Sequence, residues 1–181
     1  MIELKKIATI ENPRLVLREF NNGDAKFMFE NYGHDYDNIN YMLWKGLKNI
    51  ADAQKSIEYF KKCYKENLSF RQYAIALKDS NEVIGQISFD ANLKHHNAEL
   101  AYVLSRKYQK QGYMTEAINS ILKYLQDLNF KRISAEVMIE NVAGINILKK
   151  CGFKKEGILH CKYINKQNEF TDVILFSKII K

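Results

Sequence analysis

Between residues 98 and 128 the hydrophobic repeat changes from about 2 to about 3.6 residues across one short polar loop. "AELAYVL" (98–104) alternates, with Leu100, Tyr102 and Leu104 on one side and Glu99, Ala101 and Val103 on the other. That is a strand pattern. Met114, Ala117, Ile118, Ile121, Leu122, Leu125 and Leu128 then recur at helix spacing. The join is "YQKQGYMTEA" (108–117), which holds a single glycine, Gly112. A strand that ends in a tight loop and opens directly into a helix restricts the chain to folds mixing sheet and helix. It also leaves backbone N–H groups without intrahelical partners beside the loop.

The rest of the chain fills in the order of elements. "RLVLREF" (14–20) alternates as a first strand. Ala25, Met28, Phe29 and Tyr32 follow at helix spacing, and a second helix runs from Asp52 with Ala53, Ile57, Phe60 and Tyr64 on one face. "RQYAIAL" (71–77) and "EVIGQISF" (82–89) are separated by "KDSN", which predicts a hairpin. "KRISAEVM" (131–138) is a strand, and "NVAGINILKKCGF" (141–153) is a short helix that Asn141 can cap and Gly152 can end. Two strands, about 154–163 and 171–179, flank the turn "NKQNE". This order predicts an α+β, mixed α/β fold: a mostly antiparallel sheet of about seven strands with helices on both faces. At 181 residues, with no linker or repeat, the chain reads as a single domain over 1–181.

Charge and cysteine use narrow the function classes. Residues 106–162 carry eleven Lys/Arg against five Asp/Glu, whereas residues 1–99 balance at fourteen each. The positive half contains the glycine loop, and such a field favours an anionic ligand, unless it is only a lysine-rich solvated surface. No nucleic-acid motif accompanies it, and stacking aromatics do not interleave with the basic residues. Cys63, Cys151 and Cys161 have no CxxC spacing, and His95 and His96 point apart on an extended chain; neither set predicts a metal site. The stretch "MIELKKIATIENPRL" has no apolar run suited to a leader or a membrane span, so a cytoplasmic location is expected.

The loop itself lacks the Lys-Ser/Thr of a P-loop and the further glycines of a dinucleotide fingerprint. On physical grounds a phosphate or pyrophosphate fits it: orphan amides, the helix dipole and consecutive loop N–H groups all favour an anion. Gly112 would let the ligand approach the backbone closely, or would merely let the chain turn.

"YQKQGYMTEA" resembles the acetyl-CoA loop of the GNAT N-acetyltransferases, Gln/Arg-x-x-Gly-x-Gly/Ala, with Gln109 and Gly112 matching and Met114 at the final small position. "GYMTEA", "RLVLREF", Trp44, "NEVIGQISF", "AELAYVL" and "NVAGINILKKCGFKKEG" are similar, in order, to the RimJ/RimL-type branch, which acetylates ribosomal-protein N-termini and has many relatives. The resemblance implies a GNAT-like sheet splayed in its middle, where the strand ending at Leu104 leaves strand 131–138. It implies acetyl-CoA as cosubstrate, with the pyrophosphate on residues 109–115 (Gln109, Lys110, Gln111, Gly112, Tyr113, Met114 and Thr115). The pantetheine arm would bond to the backbone of Val103 and Leu104, near Asn141, Gly144 and Asn146. No metal is implied, nor a membrane or a specific nucleic acid as partner, and the chain would act as a monomer or homodimer.

The chemistry implied needs a neutral amine, hence a route for proton loss. Glu99 is the candidate base, from a glutamate at the matching place in histone-acetylating members; otherwise it is a surface carboxylate at a strand start. The general acid is open: the branch's Ser is here Gly144, and the Tyr that other members place four residues on is Leu148. Tyr163 or a water could substitute. Tyr36, Tyr41 and Trp44 either line the acceptor pocket or belong to the core, and Tyr163 joins them as an acceptor-side candidate. The acceptor could be a protein N-terminal amine, or a small amine for which Asp35, Asp37 and Glu99 could supply an acidic pocket. A non-catalytic CoA-binding module is the reading from a different class.

Overall fold

The computed structural model describes Leu4 and residues 7–66 and 69–180; the N-terminal stretch read above for a leader lies partly outside them. Strand β1 is Ile10–Glu11 and β2 is Leu15–Arg18. Helix α1 (Asp24–Met28) runs into a π-helical turn (Phe29–Gly33), and α2 is Ile50–Lys65. Strands β3 (Phe70–Leu77), β4 (Val83–Asn92) and β5 (Asn97–Leu104) follow. After a 3₁₀ turn (Arg106–Tyr108) come α3 (Tyr113–Asp127), β6 (Arg132–Met138), α4 (Val142–Lys150), β7 (Lys154–Ile164) and β8 (Phe170–Ile179).

The strands form one sheet in the order β1-β2-β3-β4-β5-β6-β8-β7. It is a mixed sheet with eight strands rather than about seven. The extra one, β1, pairs only Ile10 with Leu17 and Glu11 with Val16, too short a run to show alternation. The first helix also departs from expectation. It widens into the π turn, where the His34 N–H reaches the Phe29 carbonyl at 3.2 Å.

Alternation along β5 delivers side chains to two cores. Leu100 and Leu104 join the cluster that holds the α3 stripe and Leu148 of α4. Val103 joins the cluster beneath α1 and α2, with Met28, Ile57 and Phe60. Each fully buried aliphatic or aromatic side chain contributes about 1.5–3 kcal/mol. The α3 stripe therefore fixes this helix, and with it the loop at its start, against the sheet. Met114, Ala117, Ile118, Ile121, Leu122 and Leu125 are all buried, as their spacing predicts.

β5 and β6 are parallel neighbours, joined through α3 as a parallel pair requires. Their pairing is brief: Asn97 with Arg132, Ala98 with Ile133 and Glu99 with Ser134. β5 continues to Leu104 on its β4 side, where Gly85 still pairs with it, and β6 continues to Met138 against β8. The two strands thus open into a V whose vertex is Glu99–Ser134. This is the splay that the family resemblance implied. Among the described residues no helix is long and apolar enough to cross a membrane.

Candidate active site

A cleft of about 530 Å³ occupies the open side of the V. One wall is the end of β5, with Tyr102, Val103 and Leu104; the other is the start of α4, with Asn141, Gly144 and Asn146. The mouth is the glycine loop, where Gln109, Lys110, Gly112, Tyr113, Met114 and Thr115 line the surface. Of the loop residues expected to bind a cofactor, only Gln111 does not line the cleft; its side chain donates to the Lys107 carbonyl at 3.0 Å.

The loop has a geometry suited to an anion. Lys110 and Gly112 both lie in the left-handed region, at φ 60° and φ 86°. Alternating left- and right-handed residues turn successive N–H groups to one side. Among the described residues, the N–H groups of residues 110–115 find no hydrogen-bond partner; the first satisfied amide is that of Glu116, bonded to the Gly112 carbonyl at 3.0 Å. The N-terminal dipole of α3 adds about half a positive charge. Arg106, Lys110 and Lys150 line the cleft against one carboxylate, Asp37.

Leu104 and Gln109, which line the cleft, are also bonded within the chain. The Leu104 carbonyl accepts from Asn38 Nδ2 at 2.9 Å and from Gln109 Nε2 at 3.1 Å. Gln109 Nε2 also donates to Asn38 Oδ1 at 2.8 Å. A strand carbonyl that has lost its neighbour needs partners, and here side chains supply them. A ligand N–H could bond this oxygen only by displacing one of these donors. Gln109 fixes the loop to the strand end instead of facing a ligand alone.

At the other wall, Asn141 caps α4, its Oδ1 accepting from the Gly144 N–H at 2.9 Å. A Cβ at position 144 would lie 2.9 Å from the Asn141 amide nitrogen, so a serine there would push the cap aside. The hydroxyl that does reach this point belongs to Tyr102, which donates to the Gly144 carbonyl at 3.3 Å. Burial raises the Tyr102 pKa, with the nearby Cys151 adding to it, so the phenol stays protonated across the physiological range.

Glu99 stands at the vertex and does not line the cleft. Strand alternation puts its carboxylate on the sheet face of Ala101 and Val103, away from α3. Glu136 of β6 and Tyr163 of β7 gather there. The Tyr163 hydroxyl donates to Glu136 Oε2 at 2.6 Å, and Lys162 Nζ lies 3.7 Å from Glu136. Glu99 keeps exposed surface, yet its carboxyl is pushed up from the ordinary range, first by desolvation and then by the charges of Glu136 and Asp90, against the opposing pull of Lys162. The Tyr163 pKa is raised by desolvation and by its bond to Glu136.

The aromatic candidates separate. Tyr36 is 51% exposed and borders a neighbouring depression with Asp35 and Arg106. Trp44 packs against the core under α1 and α2, outside the cleft lining. Tyr41 is the one on the cleft wall. Asp35, considered above for an acidic pocket, is held by Arg106 through both oxygens, one at 2.6 Å, and Asp37 lies 3.5 Å from the same guanidinium. The Arg106 hydrogen bonds lower the Asp35 pKa. On the opposite side Lys166, at the β7–β8 turn, donates to the Ile39 carbonyl at 2.7 Å. The segment after α1 is therefore pinned from two sides over the cleft. Asn38, Arg106 and Tyr102 were not singled out by the sequence reading. Asn38 carries no local pattern, and Tyr102 looked like one more alternating core residue.

Comparison with known proteins agrees with this geometry. The acetyltransferase (GNAT) domain profile matches residues 14–154. The uncharacterized N-acetyltransferase YoaA of Bacillus subtilis (strain 168) is 33% identical over 152 residues, covering 83% of this chain and 85% of that protein. The [ribosomal protein uS5]-alanine N-acetyltransferase of Escherichia coli (strain K12) is 26% identical over 80% of this chain and 77% of its own. The fold matches the crystal structure of the microcin C7 self immunity acetyltransferase MccE in complex with acetyl-CoA and AMP, with TM-score 0.85, 23% identity, and coverage of 99% of this chain and 98% of that one. The profile spans most of the chain, and these two relatives cover 83% and 80% of it. The chain belongs to the GNAT family of N-acetyltransferases.

Proposed function

We propose that the enzyme uses acetyl-CoA as its acetyl donor and acts on the N-terminal amine of a polypeptide. The observation that carries the donor assignment is the cradle of unpartnered amides at 110–115, set at the mouth of the open V. A pyrophosphate fits those donors, and Lys110 and Lys150 add positive field beside them. The gap between β5 and α4 is where a pantetheine arm would lie.

Acetyl-CoA supplies a thioester whose carbonyl is open to attack by a neutral amine. The chain's own residues manage the protons. Glu99, at the vertex, takes the proton of the incoming ammonium directly or through a water. Its raised pKa matches that task better than an ordinary carboxylate would. Tyr102 Oη, kept protonated by burial, is the hydroxyl that holds a proton within the cleft. It stands where Gly144 and Leu148 leave no acid of their own.

For the acceptor, the state of the carboxylates supports a single amine. Asp35 is taken by Arg106, and Glu136 is engaged by Tyr163 and Lys162. That leaves Glu99 and Asp37, the latter 3.5 Å from Arg106, as the open acids, and one amine with a peptide tail fits better than a polycation. The name of the Escherichia coli relative, which specifies an alanine of ribosomal protein uS5, supports a polypeptide acceptor.

Thiol release measured over a panel of amines tests this. Peptides starting with Ala or Ser are expected to exceed spermidine, free amino acids and an aminoglycoside by about tenfold or more in kcat/KM, a margin that pocket contacts of this kind supply. A preference for a small amine would reassign the acceptor. Binding of CoA with no transfer to any amine would mark a non-catalytic module.

A further inference from the structure

Arg14 precedes β2, does not line the cleft, and has no part in the chemistry above. Its contacts nevertheless converge on the phosphate loop. Its Nη1 donates to the Gln111 carbonyl at 3.0 Å. Its Nε donates to Glu116 Oε2 at 2.8 Å, and Nη2 lies 2.8 Å from the same oxygen. Its backbone N–H bonds Glu116 Oε1 at 3.2 Å. Its guanidinium lies 4.3 Å from the centre of the Tyr113 ring. One side chain thus touches the residue before Gly112, the residue after it, and the first turn of α3.

Two physical consequences follow. A trans peptide points its C=O and N–H in opposite directions. Drawing the Gln111 carbonyl toward Arg14 therefore turns the Gly112 N–H the other way, away from Arg14. The second consequence is electrostatic. Glu116 carries a negative charge in the first turn of α3, beside the amides meant for an anion. Unpaired, it would repel a phosphate at short range; Arg14 neutralises it through a fork that a lysine cannot reproduce.

We propose that Arg14 is a positioning residue for cofactor binding, holding the phosphate loop in its receiving geometry and cancelling the Glu116 charge from outside the cleft. This rests on the acetyl-CoA reading.

The test compares Arg14→Ala, Arg14→Lys, Glu116→Gln and the double variant Arg14→Ala/Glu116→Gln with the parent protein. CoA affinity is read by calorimetry, and kcat and KM by thiol release. Arg14→Ala is expected to raise the CoA Kd and the acetyl-CoA KM about 10- to 100-fold, the scale of lost charge-assisted bonds, with kcat changed less than about threefold. Arg14→Lys is expected to recover only part of the loss. The double variant is expected to bind CoA better than Arg14→Ala, because the unpaired carboxylate is gone. Should Arg14→Ala not fold, Arg14→Lys alone decides, and parent-like affinity in it overturns the proposal. A folded Arg14→Ala with unchanged Kd, or with loss confined to kcat, also overturns it. Failure of the parent protein to bind CoA would instead bring down the acetyl-CoA reading on which the proposal stands.

Discussion

Gly112→Pro is expected to lower CoA affinity by about 100-fold or more, the scale of losing two hydrogen bonds to a charged ligand. Proline removes the N–H at the centre of the cradle and locks φ near −65°, whereas Gly112 sits at φ 86°. The loop cannot keep its shape under that change. Gly112→Ala is the control. A Cβ there would meet only Arg14 Nη2, at an ordinary 3.4 Å, and the N–H remains. Its cost is the left-handed strain of about 1–2 kcal/mol, seen as a few degrees in Tm and a several-fold loss of affinity. Calorimetric titration of both variants with CoA separates the two effects. Equal behaviour of the proline and alanine variants would mean that the Gly112 amide is not a ligand donor. The fold is expected to survive both, because α3 is anchored by its buried stripe downstream of the loop.

Glu99→Gln is expected to lower kcat/KM at neutral pH by about 100-fold or more, the usual reach of a positioned base, with CoA affinity retained. The pH profile carries further information. A base works only when deprotonated, and the Glu99 pKa is raised. The acid limb of kcat/KM is therefore expected above the ordinary carboxylate range, with activity rising as pH climbs through it. Glu136→Gln removes one of the charges that raise the Glu99 pKa, so that limb is expected to move to lower pH. Unchanged kcat/KM in Glu99→Gln would remove the residue from the mechanism.

Local features of the sequence account for much of the fold, and the family resemblance accounts for the expectation of a CoA site. The α3 stripe needs only the spacing of its own side chains, whereas the glycine between a strand and that helix allowed either an anion site or a plain turn, and the family resemblance supplied the acetyl-CoA reading. What escaped was either too short or too distant. β1 has two residues and no period to read. The π turn inserts one residue into a helix whose apolar spacing still looks regular. Asn38 meets Leu104 across 66 positions, and Arg14 meets Glu116 across 102. No local pattern encodes such partners; only the completed fold brings them together. The acceptor side suffered most for this reason. Trp44 and Tyr36 have the composition of a pocket wall, but the packing of the segment after α1 decides which aromatic faces the cleft, and it selects Tyr41. Glu99 became a candidate through the family resemblance, which sets a glutamate at the matching place; alternation along its strand fixed only the face it lies on. Its neighbours Glu136 and Tyr163 come from strands far along the chain.

The central claim is that the amide cradle at 110–115 receives the phosphates of CoA, and a thermal-melt titration of the parent protein with CoA, acetyl-CoA and ATP tests it most directly. A ligand that binds only the native state stabilises it by about 2.7 kcal/mol at a hundred times its Kd, which for a chain of this size raises Tm by about 5–10 °C. A saturable rise is expected with both CoA and acetyl-CoA and none with ATP. A flat melt with both CoA species, or an equal rise with ATP, would contradict it.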